Sequence, residues 1–220
     1  MGPLCTQSAS PARRARRRGE RGQALIETAI VVVFALTLFV GVYAVGVAIS
    51  DSNMAGQATR TGARFAAQVG NNNYQLGTTD ACQVIAPPAK DPCGVDKQVV
   101  ANVAATILDN SNNTLLNYGT IRRVIIYQPK DTAVCVSGTT GSPYQNGDRG
   151  EIYTYAGSGT WSPATAPGGL YSLDLRTQTH PTEGAIGVQL DFDYQSPTPL
   201  ISVNLSHTEY TVNCLAPSSH

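Results

Sequence analysis

The sequence predicts an α+β protein carried on a membrane helix. A long N-terminal transmembrane helix leads into a small ectodomain of one amphipathic helix on a mostly antiparallel sheet. Three observations predict it. An uncharged apolar run extends from Thr28 to Ser50, long enough for a helix to cross a bilayer's hydrocarbon core. A helix-period stretch and a strand-like segment, "DKQVVANVAATILDN" and "IRRVIIY", follow in order. Near the end, "AIGVQLDFDY" alternates apolar and polar side chains and is followed by a second strand-like run.

Residues 1–22 read as a basic cytoplasmic leader. Six of the 15 basic residues (Arg13, Arg14, Arg16, Arg17, Arg18 and Arg21) lie there, against Glu20 alone of the 15 acidic ones. The remainder is therefore acid-rich, which argues against a nucleic-acid partner. Arginines placed directly before an apolar span act instead as a topology signal. They put the N-terminus in the cytoplasm and everything after Asp51 on the extracytoplasmic side of the membrane.

Residues 23–70 read as the transmembrane helix and its extension outside the lipid. A secretory signal has a shorter apolar region of roughly 7–15 residues, so this run is retained as a span. Helical spacing continues past Asp51. Gln57, Arg60, Thr61, Arg64 and Gln68 share a polar face, and Ala55, Ala58, Gly62, Phe65, Ala66 and Val69 share the other. Gly70 and three asparagines stop the helix. The small residues of the second face suit close helix approach. They serve either a bundle of several chains or packing on the chain's own ectodomain. Arg60 and Arg64 either pair with Asp51 of a neighbouring copy or face solvent.

Residues 71–96 read as a Pro-containing linker, and 97–216 as the ectodomain. Val99, Val100, Val103, Ile107 and Leu108 form the apolar stripe of its helix, with Asp96 as N-cap. "IRRVIIY", "AVCV" and "EIYTY" read as strands, and 137–170 as a Gly/Ser/Thr-rich loop or hairpin excursion. In the last pair, Ile186, Val188, Leu190, Phe192 and Tyr194 face a core, while Gly187, Gln189, Asp191 and Asp193 face water. "SPTP" turns the chain, and Ile201, Val203 and Leu205 alternate on the return strand, so the two runs form an antiparallel hairpin. Cys82, Cys93, Cys135 and Cys214 lie on the oxidising side and suggest two disulfides; of the three pairings that four cysteines allow, Cys82–Cys93 with Cys135–Cys214 is favoured. Cys5 lies on the reducing side.

No catalytic site is read from the sequence. It has no GxSxG, HExxH or phosphate-loop motif, no CxxC spacing for zinc, and scattered histidines at His180, His207 and His220. No metal or cofactor is implied. Asp191 and Asp193 read as a solvated strand face and His207 as a structural or surface histidine.

One residue remains to be explained: Glu27, a carboxylate at the mouth of the apolar run. Charges at membrane depth are costly and mark function. It is the fifth residue after Gly22, behind a basic leader, and this pattern resembles the type IV prepilin signal. In that family a membrane peptidase cuts after the glycine, which here would leave Gln23 at the new N-terminus. The Gln23 amine and Glu27 lie one helical turn apart, and opposite charges that meet in lipid offset one another. A boundary residue snorkelling to the headgroups is the plainer reading. "RGQALIE", Gly41 and Gly46, and "QATRTGARFAA", with Arg60, Gly62, Arg64 and Phe65, resemble the TadE-like family over Gly22–Ala67. These are pilin-like proteins of tight-adherence (Tad/Flp) pilus systems. Thr28, Val33 and Ala44 depart from the family's usual aromatic, proline and acidic residues. The resemblance implies a pseudopilin or minor pilin. Its implied partners are the lipid bilayer, other pilin-like subunits, a pilus assembly platform and a prepilin peptidase. The alternative is a single-pass anchored surface binding or adhesion module.

Overall fold

A computed structural model describes residues 12–69, 93–109, 111, 113–130, 135, 141–176, 184–195 and 204–215. Residues 1–11, the linker at 71–92 with Cys82, most of "AVCV", the "SPTP" turn, Ile201, Val203, Cys5, His180 and His220 lie outside them.

The elements are α1 (Ala12–Val69), α2 (Cys93–Ile107), β1 (Gly119–Tyr127), β2 (Gly150–Gly157), β3 (Thr160–Thr165), β4 (Ala185–Gln195) and β5 (Asn204–Cys214). The fold is α+β: a long apolar N-terminal helix, then a domain with a second helix and a five-stranded antiparallel sheet. The chain divides into two compact units, Met1–Val45 and Gly46–His220. α1 starts at Ala12 and so includes the arginine-rich stretch read as leader. It ends at Val69, before the expected stop.

In the second unit the strand order is β3-β2-β1-β4-β5, antiparallel throughout. β4 and β5 pair without a break from Ala185↔Cys214 to Gln195↔Asn204. β3 was not anticipated, because "TWSPAT" holds Pro163 and does not alternate. As an outer strand it tolerates a residue that cannot donate to the ladder. The core lies on one sheet face. Val124, Ile126, Ile186, Val188 and Leu190 pack there with Val99, Val103 and Ile107 of α2 and with Ala55, Ala58, Ala63 and Ala66 of α1.

β4 corrects the expectation of one wet face. Residues 185–192 are buried on both sides. The segment 141–149 covers the second side: Tyr127 donates to the Ser142 carbonyl at 2.6 Å, and the Tyr144 amide donates to Gln189 Oε1 at 2.9 Å. Tyr127 lies across Gly187, where a Cβ would collide with its ring. Asp191 accepts from Arg123 (2.6 Å), Gln189 (2.8 Å) and Thr208 (2.9 Å). Asp193 alone of that set remains half-buried, accepting from Ser206. Leu205, on the return strand, is 57% exposed.

Asp96 also moves. It lies inside α2, fully buried, and not at an N-cap. Arg176, equally buried, grips it with two hydrogen bonds of 2.6 and 2.7 Å and donates two more to the Tyr171 carbonyl. Burial alone pulls the Arg176 pKa down, but the charge and hydrogen bonds of Asp96 outweigh it, so the guanidinium stays charged. Bidentate geometry is what a buried ion pair needs to offset desolvation. Tyr153 donates to Glu151 at 2.6 Å close by. Burial first, then the Asp96 and Glu151 charges, push its pKa well above the ordinary tyrosine value.

Candidate functional site on the N-terminal helix

In the first unit, α1 presents its apolar residues outward. Leu25, Phe34 and Phe39 are 72–73% exposed, and none of the most apolar 18-residue window, of mean hydropathy 2.7, is buried. A stripe of that length without cover in water would be strongly unfavourable at ~25 cal/mol per Å². It is a candidate membrane span. The helix satisfies its own backbone, and its hydroxyls do likewise: Thr28 donates to the Ala24 carbonyl and Thr37 to Val33. Glu27 stands at the start of this stripe. Gln23 Nε2 donates to Glu27 Oε1 at 3.1 Å, so the two residues share a face as their spacing requires. Gly22 and Gly41 have nothing within 4 Å of where a Cβ would lie, and the same holds for Gly46 in the second unit.

The rest of α1 belongs to the second unit and docks there by close contact. Gly62 is the tightest point. A Cβ there would lie 2.5 Å from Val103 Cγ2 and 3.4 Å from Val188 Cγ1. Ala55, Ala58, Ala63 and Ala66 are buried around it. This small-residue face is therefore occupied by the chain's own α2 and sheet, the plainer of the two readings. The polar face is as expected: Gln57, Arg60, Thr61, Arg64 and Gln68 are exposed, and Phe65 is half-buried.

Polar contacts fix the docking register. Asp51, the first charge after the apolar run, is fully buried. Its Oδ1 accepts from the Asn117 amide and side chain, both at 3.0 Å, and its Oδ2 from the Tyr118 amide at 3.2 Å. Asp51 is thus committed within its own chain. Ser52 donates to Glu209 at 2.6 Å, and the Thr59 and Thr211 hydroxyls meet at 3.1 Å. These contacts step along β5. Asn117, Glu209 and Thr211 were not singled out in the sequence. Asp51 was the available signal, since an acid closing an apolar run calls for a donor set.

Cys135 and Cys214 form a disulfide with Cα atoms 5.5 Å apart, as expected. Cys93 is also disulfide-bonded; its expected partner, Cys82, lies outside the described residues. His207 is exposed, hydrogen-bonds Glu209 at 2.9 Å and sets its ring against the edge of Phe192. Among the described residues, no cluster of three His, Cys, Asp or Glu side chains is placed to hold a metal.

Residues 22–64 match the family model of TadE-like proteins. The segment is TadE-like. The match covers about a fifth of the chain, from the glycine before Glu27 to the last arginine of the docked helix. It links the chain to Tad pilus-associated proteins. No curated protein and no solved structure matches the chain. The TadE-like segment includes the exposed apolar stripe and most of the docking surface, including Asp51, Thr59 and Gly62. The sheet, α2 and the Arg176–Asp96 pair lie beyond it.

Proposed function

We propose that this protein is a membrane-anchored pseudopilin or minor pilin that serves the assembly of a Tad/Flp-type surface pilus or its secretion machinery. The reading is structural, with no chemistry assigned to the protein. The TadE-like match supports it, and the paired Gln23 and Glu27 at the head of an uncovered apolar helix carry it furthest. In this reading the apolar helix stores the subunit in the bilayer. Arg60, Arg64 and the outward faces of α1 meet other pilin-like subunits or the assembly platform. The α+β domain is the exposed head. A prepilin peptidase cuts between Gly22 and Gln23. The new amine then lies one turn from Glu27 and meets the Glu27 of a neighbouring subunit, so that two charges costly in lipid offset each other.

The test is the N-terminal mass of the protein extracted from membranes, with and without the peptidase. A peptidase-dependent N-terminus at Gln23 is the expected result. A chain that keeps its arginines in both strains makes Glu27 an interfacial residue. The protein would then be a permanently anchored scaffold or surface binding module.

A further inference from the structure

Among the described residues outside α1, the exposed large apolar side chains are Leu115, Leu205 and Tyr210. A single exposed leucine needs no explanation. The positions of two of these do. Asp51 receives the Asn117 and Tyr118 amides, and Leu115 lies two residues earlier on that segment. The Gln195 amide donates to the Tyr118 carbonyl at 2.9 Å. Gly119 pairs with Tyr194, and Tyr194 pairs with Leu205. One level of the sheet, spanning β1, β4 and β5, is thereby set beside Asp51. Strands lie about 4.8 Å apart, so the level extends sideways from the helix by roughly 10 Å. Ile49, in the same compact unit, is 58% exposed and ends the apolar run two residues before Asp51.

We infer that this end of the domain rests on the lipid surface, with Leu115 and Leu205 dipping into the headgroup region and Tyr118 and Tyr194 at its level. The inference rests on the reading that the apolar run crosses a bilayer. Its partner follows from continuity. The chain leaves the hydrocarbon at Ile49, and one residue adds only about 1.5 Å along the helix. The headgroup layer is several Å thick on each side. The first folded groups beyond Asp51 therefore lie within it. Tyrosine favours that layer because its ring is apolar and its hydroxyl is wet. The same placement gives the exposed Leu205 side chain an apolar neighbour. Asp51 acts as a positioning residue: its three accepted hydrogen bonds fix the level of the rim against the helix exit.

The test uses the full chain reconstituted in phosphatidylcholine vesicles, with Trp161→Phe removing the single tryptophan. Leu205→Trp and Leu115→Trp report the rim, and both sites are exposed, so the larger ring fits. Phe39→Trp reports the span. Asn146→Trp reports an exposed turn beside the opposite ends of β1 and β2. Fluorescence is read with lipids brominated near the headgroup or deep in the chain. The expected result is loss of signal to the shallow label at 205 and 115, to the deep label at 39, and to neither at 146. Quenching at 39 with none at 205 and 115 overturns the rim and leaves the span. Equal quenching at 146 reveals general adsorption and also overturns the rim. Absence of quenching at 39 removes the span and the rim with it.

Discussion

At Gly62 a missing side chain sets how closely two helices approach. Its α-carbon faces Val103 of α2, and a Cβ would stand 2.5 Å from that methyl. Gly56, six residues earlier on the same helix, has nothing nearer than Glu209 Oε2 at 3.8 Å. The two glycines therefore respond oppositely to substitution. Gly62→Val overpacks the contact and destabilises by about 1–3 kcal/mol, more than the small helix-propensity gain returns. Gly56→Ala is neutral or stabilising by up to about 1 kcal/mol. Thermal melts of the detergent-solubilised chain separate them, and equal shifts for the two variants would contradict the docked geometry. Gly62 was legible as part of a small-residue face. Which surface it meets was not, because a stripe of Ala and Gly has the same pattern against a neighbouring chain or against its own domain. Arg176 was wholly illegible. Nothing near "LDLRTQ" marks it as buried, since its partner Asp96 lies 80 residues away and itself resembled a helix cap.

Elements with a strict period were legible. β1, β4 and α2 follow their apolar patterns, and the outward polar face of α1 follows its 3.6-residue spacing. Elements defined by what covers them were not. β4 alternates in sequence, yet both of its faces are buried, because Tyr127, Tyr144 and the 141–149 segment close over Gly187 and Gln189. Covering a polar strand face requires internal hydrogen bonds for each group, and Arg123 and Thr208 supply them to Asp191. β5 closes the sheet and is tied by Cys214 to Cys135 across a separation of 79 residues. Loop-closure entropy for a ring of that size is worth about 4–5 kcal/mol at most. The paired Cys135→Ser/Cys214→Ser variant should lower the urea midpoint of the protein accordingly and leave the membrane attachment intact. An unchanged midpoint would show that the strand needs no covalent tie.

At the scale of the whole molecule, α1 has two separate tasks, and they divide near Gly46. Leu25, Phe34, Phe39 and Val42, before that point, expose their apolar side chains. From Asp51 to Val69 one face of the helix is core. Ala55, Ala58, Ala63 and Ala66 are fully buried, and Thr59 and Asp51 are buried polar groups with partners. The TadE-like match crosses this division, so the similar segment holds both an exposed apolar stretch and a structural part of the second unit. Two truncations distinguish this arrangement from a head merely tethered to an anchor. A chain of residues 46–220 keeps the docking contacts of Asp51, Thr59 and Gly62 and should run as a soluble monomer with a single cooperative melt. A chain of residues 70–220 uncovers Val188, Val99 and Val103, and leaves the Asn117 and Tyr118 amides without Asp51. An apolar patch of that kind promotes aggregation, and this chain should elute in the void volume or fail to accumulate. If the shorter chain melts at the same temperature as the longer one, the helix is a stalk and the docking surface contributes nothing to the fold. If it collapses as expected, the docked part of the helix cannot leave the domain without unfolding, and any contact this part makes with another chain uses the outward face bearing Arg60 and Arg64.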